Sequence, residues 1–521
     1  MSTSLSGLLH ALPEGMLITV DGDAQISAPP VERADQVQPG GVFIARRGKV
    51  VDGRTLAVEA VARGAVAVVG DADRMDVGVP YARVDDAQQA LGYLAASWWG
   101  LPTKKIEVTG VTGTNGKTTT TMLLRGIIDA ATGGPVGLIS TIGVEYGTGF
   151  IPVGEHITTP GAPQVQEMLG RMVEAGFPET VVEMSSQGLE QGRLNGIGID
   201  VGVYTNLTHE HLDYHGTLEA YRNAKGILFE RVGAMGGIAV INADDAYGAW
   251  FAERSRGAQI VEYGIEKGDY RPEGLIVDAS GIRMTVDGDD YRTVLTGDFN
   301  VYNTLAAIAY ARARGWAPEA IQRGLNATTG VDGRMQTIDE GQPFRALVDF
   351  AHTPDAYQQL FPSLRRLLPD GGRLIAVFGC AGERDTEKRD TMPAIAAEYA
   401  DLLVMTASDP RRENVDEILD RMQVSAERAG ARLGEDLLRI PDRGTAILTA
   451  VQAARPGDIV VACGKGHKQS MSIGGVEYPW DDRIALRYAL HGVAMGGLPS
   501  SPEGAPTVAD ARRANACAAT A

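Results

Sequence analysis

The sequence predicts an α/β fold with mainly parallel sheets, divided into three domains. Short apolar runs bounded by glycine or polar residues recur at 64–70, 106–112, 180–183, 201–205, 237–242, 345–350, 373–379, 401–406 and 458–463. Strands buried on both faces read as such runs. Segments of helical period lie between them, and that alternation marks parallel sheets. The length, 521 residues, exceeds what one core organises and suits about three domains.

A first domain is expected over 1–102, ending at Leu101-Pro102, just before the strand at 106–112. A second is expected over 103–334, closing after one helical stretch at 301–326, and a third over 335–495. The segment 496–521 is rich in Gly, Pro, Ser and Ala and reads as a loose tail.

Composition narrows the function classes. Hydrophobic residues make up 44% and charged residues 22%, which is ordinary for a globular chain. The net charge of −18 argues against a nucleic-acid partner, since neutralising a phosphate backbone needs a basic surface. Single nucleotides stay allowed, because a few local cations and Mg2+ can meet their charge. Three cysteines, Cys380, Cys463 and Cys517, have neither paired nor metal-type spacing, which suits a reducing compartment. No basic stretch precedes a long apolar run at the N-terminus, and no segment approaches the roughly 20 apolar residues of a membrane span. A cytoplasmic protein without membrane or nucleic-acid partners is expected.

The sharpest motif is IEVTGVTGTNGKTTT at 106–120. An apolar strand leads into a loop with Gly110, Gly113 and Gly116, and Lys117-Thr118 opens a helix over 119–131. Glycines let backbone N–H groups curl around phosphate oxygens, and the helix N-terminus favours an anion. Gly113, Thr114, Asn115, Gly116 and Thr119 would line the cradle, Lys117 would reach the β- and γ-phosphates, and the Thr118 hydroxyl would ligate Mg2+. The common pattern G-x-x-x-x-G-K followed by Ser or Thr is not met in full, because Val111 occupies its first glycine. The bland alternative is a glycine turn before a helix.

This variant, T-G-T-N-G-K-T-T, resembles the Mur ligase family of cytoplasmic amide ligases, and the likeness runs from about Pro39 to Arg483. Within the family it resembles the ligases that add the third residue of the stem peptide. The resemblance implies a central P-loop ATPase-type domain with a mainly parallel sheet and a Rossmann-like C-terminal domain. The first domain would bind a nucleotide-sugar-type acceptor and the third the amino acid. It implies an ADP-forming carboxylate–amine ligase using ATP and Mg2+. The acceptor carboxylate becomes an acyl phosphate, an amine attacks it, and closure of the third domain excludes water. Its partners would be small molecules and its state monomeric.

The same resemblance assigns the remaining residues. Glu183 ends a strand in TVVEMSSQGLEQGR, where a carboxylate suits Mg2+. The segment is similar to the family's E-x-S-S-H, with Gln187 in place of histidine. His211 matches the family's second metal-associated residue. Without the resemblance, His209, His211 and His215 read as surface or core groups, or as a transition-metal cluster. Lys225 reads alone as a solvated lysine on a helix. The resemblance makes it the lysine that is carbamylated, an anionic oxygen ligand for Mg2+. Asn300 and Asn303 share a helix face and would meet the adenine edge, although asparagine is also a good helix cap. Arg334 in Gly333-Arg334-Met335 would sit near the transferring phosphate, with Asp349 and His352 of DFAHTPD at a domain joint. Thr158, Thr159, Ser185 and Arg193 would face the reacting peptide, and Arg384 the incoming α-carboxylate.

Departures gather at recognition positions. The family's D-S-R, which contacts the uridine nucleotide, is here Arg33-Ala34-Asp35. Its G-H-Q-V-D-G is Gly48-Lys49-Val50-Val51-Asp52-Gly53. The D-N-P-R of diaminopimelate-adding members is Ser408-Asp409-Pro410-Arg411, and their G-K-G-H-E is Gly464-Lys465-Gly466-His467-Lys468. A lysine for that glutamate should repel the distal ammonium of diaminopimelate. Arg411 and Lys468 would suit a side chain ending in an anion; Asp409 could pair with either of them or meet an amine itself, and Lys468 could instead point to solvent. The reading is a Mur-type ligase with altered acceptor and amino-acid recognition. The alternatives are the housekeeping tripeptide synthetase, a nucleotide-binding scaffold without turnover, and a kinase that only phosphorylates a carboxylate.

Overall fold

The continuous apolar runs become strands covered on both faces. In the computed structural model, which describes residues 2–48, 52–73, 75–147, 149–151 and 158–496, all nine runs contain strands. Glu107–Thr112, Glu179–Glu183, Val201–Tyr204 and Ile238–Asn242 lie in one eight-stranded sheet. Its order is 150–151, 144–145, 136–139, 179–183, 107–112, 201–204, 238–242, 259–263. The six strands from 136–139 to 259–263 are parallel, and 144–145 and 150–151 add an antiparallel edge.

The chain steps from Glu107–Thr112 first to one side of the sheet and then to the other. That strand is therefore the switch point, where open α/β sheets leave a crevice at their carboxyl ends. In register, Glu183 lies opposite Val111 and Tyr204 opposite Thr112. The ends of three strands thus open at one level. Val108, Val182, Ile139, Leu228, Phe229 and Ile241 are fully buried beneath them. Each such side chain contributes about 1.5–3 kcal/mol of transfer free energy, so that level is firmly set.

The N-terminal sheet has the order 17–21, 81–84, 67–70, 42–45, 30–31, parallel except at its first strand. Its helix Ala87–Trp98 meets the central segment near Asn195, whose Nδ2 donates to Gln89 O at 3.0 Å. The C-terminal sheet has the order 336–338, 345–349, 459–463, 374–378, 402–405, 437–439 and is parallel after its first strand. Alternate residues feed two cores. Leu347, Ala376 and Val461 face helices Pro354–Arg366, Lys388–Tyr399 and Val415–Arg428, while Val348, Val377 and Val460 face Arg443–Ala453 and Asp482–Leu490. This is the expected three-domain α/β fold with mainly parallel sheets.

By internal contacts the chain forms two compact units. One comprises 1–207, 215–271 and 305–324; the other comprises 208–214, 272–304 and 325 onward. The second includes an antiparallel three-stranded sheet over 273–293 that the sequence pattern did not reveal.

One expectation is corrected and another given detail. The helical stretch at 301–326 comprises two helices, Asp298–Ala313 and Pro318–Ala327, because Gly315 takes a left-handed φ of 72° and Pro318 can only start a helix. Gly110 belongs to the strand rather than the loop. A Cβ there would come within 2.7 Å of Met184 Sδ, so glycine serves close packing. Among the described residues no helix is long and apolar enough to cross a membrane. Cys380 and Cys463 are buried free thiols, the first pushed up to about 12 by burial and the second also raised by it. Lys49, Val50, Val51, Cys517 and the tail from 497 lie outside the described residues.

Candidate active site

The phosphate loop closes on itself as its glycines require. Gly113 has φ 150° and Gly116 φ 84°; a Cβ on Gly113 would fall 1.9 Å from Thr205 Oγ1. Helix Lys117–Thr132 starts directly after Gly116 and leaves its first N–H groups at the loop. The next strand end bolts the loop in place. Thr114 N donates to Asn206 O at 2.8 Å, Asn115 N to Asn206 Oδ1 at 2.9 Å, and Thr205 Oγ1 to Asn115 O at 2.6 Å. Thr118 and Thr119 are buried on the first turn.

Two lysines from distant parts of the chain meet on one oxygen. Lys117 Nζ donates to Gly113 O at 2.9 Å and to Thr114 O at 2.8 Å. Lys225 Nζ, on helix Leu218–Met235, donates to the same Gly113 O at 2.8 Å. Lys225 is 1% exposed and lies 4.5 Å from the centre of the Tyr221 ring. Like charges this close repel, and an anion bound at the loop would offset that repulsion.

Glu183 completes this group. Wholly buried, it accepts from Thr141 N at 3.1 Å, Thr141 Oγ1 at 2.9 Å and Thr118 Oγ1 at 3.2 Å. Hydroxyl and carboxylate oxygens adjoining at a phosphate loop are the hard donors that Mg2+ takes, so Thr118 and Glu183 fit that ion. Lys225 fits only after its cation becomes an anionic oxygen group. Beside them Thr159 Oγ1 donates to Glu183 O at 3.1 Å and lies 2.9 Å from Ser185 Oγ. Arg193 Nη1 donates to Thr159 O at 2.9 Å. Thr158 lies next to this set, half-buried.

The other site residues lie on the second unit. His211 is exposed there with φ 57°, its Nε2 3.9 Å from Glu210. His209 is also exposed, whereas His215 belongs to the first unit with its ring nitrogen 2.9 Å from Ser186 Oγ. No group of three His, Cys, Asp or Glu suited to a metal occurs among the described residues. Asn300 and Asn303 are buried on helix Asp298–Ala313. Asn303 Nδ2 donates to Asn300 Oδ1 at 2.8 Å, and Asn300 Nδ2 donates to Thr296 O at 2.8 Å.

The ring of Phe350 organises this unit's cations. The Arg334 guanidinium lies 4.4 Å and the Lys468 ammonium 5.4 Å from its centre. Arg334 Nη1 is also 3.2 Å from His467 Nδ1. Gly333 permits this approach, since a Cβ there would strike His467 N at 2.1 Å. Asp349 accepts from Met335 N and Ala351 N, both at 2.7 Å, and so braces the turn; burial pushes its carboxyl up. Burial, with Lys388 nearby, pulls His352 down to about 3, so it is neutral at physiological pH.

Three loops at carboxyl ends of the C-terminal sheet carry the predicted amino-acid contacts. Gly382 N donates to Asp409 O at 3.0 Å, which ties the loop of exposed Arg384 to the next loop. Asp409 and Arg411 hold left-handed φ values of 47° and 56°, strain that binding loops tolerate when their surroundings enforce it. Asp409 is ion-paired with Lys465 at 2.6 Å and Lys468 at 3.4 Å. Lys468 therefore points into this cluster and not to solvent. Burial works to raise the Asp409 carboxyl, but the two lysines hold it well below the usual carboxylate range. Burial in turn pulls Lys465 down to about 8. Gly464 adopts φ 102° and donates to Asp349 O at 3.0 Å, joining the loop to the Phe350 turn.

Sequence reasoning missed Thr141, Asn206, Phe350 and Lys465. The first two follow the strands 136–139 and 201–204, where the carboxyl-end rule would have pointed to them. The last two act through contacts that exist only in the fold.

Known proteins resemble this chain over most of its length. The family descriptions "Mur ligase family, catalytic domain", "Mur ligase middle domain" and "Mur ligase, glutamate ligase domain" match residues 33–99, 111–311 and 333–466. The chain is 42% identical to a UDP-N-acetylmuramyl-tripeptide synthetase of Roseiflexus sp. (strain RS-1), over 88% of this chain and 94% of that one. It is 39% identical to a UDP-N-acetylmuramoyl-L-alanyl-D-glutamate--2,6-diaminopimelate ligase of Geobacillus kaustophilus (strain HTA426), over 93% and 98%. A solved structure of a ligase with that second name superposes with a TM-score of 0.63 at 33% identity, covering 89% of this chain and 94% of that one. Likeness along nearly the whole length thus accompanies the glycine loop and the lysines and glutamate gathered at it, and the chain belongs to the Mur ligase family of ATP- and Mg2+-dependent amide-bond ligases.

Proposed function

We propose that this ligase couples an amino acid whose side chain ends in an anion to the carboxylate of an acceptor read differently from a uridine nucleotide sugar. The carrying observation is the pairing of Asp409 with both Lys465 and Lys468. With its carboxylate engaged, the surplus charge of these loops is positive, and Arg411 adds to it. A distal carboxylate is favoured there and a distal ammonium is repelled. At the acceptor end, Arg33 is ion-paired with Asp35 at 2.6 Å and Ala34 is buried. That pairing supports a changed acceptor head group.

In this reading Lys117 offsets charge on the transferring phosphate, Arg334 keeps the phosphate-side role that the family resemblance implies, and Thr159, Ser185 and Arg193 orient the acceptor carboxylate. Thr118 and Glu183 would hold magnesium, with a carbamylated Lys225 as a further ligand, and the ion would neutralise phosphate charge; His211 keeps the metal-associated role that the family resemblance implies. Asn300 and Asn303 serve the adenine end. Acceptor, nucleotide and amino-acid domains are taken as 1–102, 103–334 and 335–495. The free thiols of Cys380 and Cys463 support a reducing compartment such as the cytoplasm.

ADP release tests the reading, with amino acids screened against UDP-N-acetylmuramoyl-dipeptide and simpler carboxylic acids. Turnover is expected with a dicarboxylic amino acid and to depend on that amine. Strong turnover with the UDP-dipeptide and diaminopimelate would instead establish the housekeeping tripeptide synthetase, a reading that the identity to the relatives above favours. Carbamylation has its own check. Lys225→Ala is expected to lower turnover by about 10²–10³-fold, with partial recovery in short carboxylates such as acetate or formate. Unchanged activity would remove Lys225 from the metal site.

A further inference from the structure

Beneath the proposed amino-acid loops lies a buried charged network to which no role has been given so far. Arg443 and Asp482 are both completely enclosed. Arg443 Nε and Nη2 donate to the two carboxylate oxygens of Asp482 at 2.7 and 2.6 Å, a bidentate pair. The remaining reach of the guanidinium is spent on backbone. Nη1 donates to Ala407 O at 3.1 Å and Nη2 to Cys463 O at 2.8 Å. Trp480 Nε1 donates to Asp482 Oδ1 at 2.8 Å and fixes the carboxylate from its other side.

The two carbonyls belong to the residues just before Ser408-Asp409 and Gly464-Lys465. One planar group thus sets the spacing of two loops that leave different strands. The Lys465–Asp409 pair ties the same loops together further out. Enclosing two full charges is costly, and apolar residues of similar volume stabilise a core at least as well. Geometry is what the pair adds.

We propose that Arg443, clamped by Asp482, is a positioning residue that holds the loops of Asp409-Arg411 and Gly464–Lys468 at the separation needed to bind the incoming amino acid. The inference rests on the reading of these loops as the amino-acid pocket. Lysine in its place keeps the charge but presents no planar fork to reach the carboxylate and both carbonyls together.

The test measures KM for ATP, acceptor and amino acid, with kcat and thermal melting, in the full-length enzyme and the substrates found by ADP release. Arg443→Lys is expected to raise the amino-acid KM at least tenfold while the KM values for ATP and acceptor stay within twofold. An unchanged amino-acid KM, or losses shared equally by all three substrates, would overturn the proposal. If Arg443→Lys does not fold, Trp480→Phe removes only one donor from Asp482. A threefold or larger rise in amino-acid KM is then expected, and none would overturn the idea. Arg411→Ala separates the two layers of the argument. If it leaves the amino-acid KM unchanged, the pocket reading fails; if it raises that KM while Arg443→Lys does not, only the role of Arg443 fails.

Discussion

Lys117→Met is expected to lower kcat for ADP release by about 10²–10³-fold while the protein stays folded, because the charge serves the transferring phosphate and not the core. Lys117 is half-buried, and its ammonium donates to two loop carbonyls, Gly113 O and Thr114 O. Methionine keeps most of the side chain's apolar stem, so melting should move by no more than a few degrees. Transfer of a phosphoryl group to a carboxylate brings two anions together, and the loop's N–H groups alone do not offset that repulsion. ADP release by the purified variant, alongside a thermal melt, checks both halves of the expectation. Activity within tenfold of the parent protein would mean that the loop does not hold the reacting phosphates.

Asp409→Asn is expected to cost about 3–5 kcal/mol of stability, since it leaves Lys465 enclosed without its counter-charge. Lys465 is fully buried and Asp409 nearly so, which removes the solvent screening that makes exposed pairs weak. Denaturant unfolding measures the loss. The double substitution Asp409→Asn with Lys465→Met should recover much of it, because both charges are then gone; additive losses would show that the two residues do not act as a pair. The pair also carries a pH signature. The folded Asp409 pKa lies below its unfolded value, so its stabilisation is fully present above the unfolded carboxylate value near 3.9 and is lost as pH falls through the folded one. Asp409→Asn removes that acid limb.

The sequence alone determined what depends on residues near one another along the chain. Apolar runs marked nine strands, because a strand covered on both faces needs uninterrupted hydrophobic residues. Gly113, Gly116 and Lys117 marked the phosphate loop, because only glycine allows those backbone angles. Glu183 was legible as a polar residue ending an apolar strand. Lys225 was not: on its helix it reads as solvated, and only the resemblance singled it out. The fold buries it and sets it on Gly113 O beside Lys117. Nor could spacing say whether Lys468 faces solvent, that Phe350 lies under both Arg334 and Lys468, or that Arg443 spans Ala407 and Cys463. These pairings join residues tens to hundreds of positions apart. They exist only once parallel strands bring their carboxyl ends to one level, and in a single sequence no local pattern of propensity or hydrophobicity encodes them.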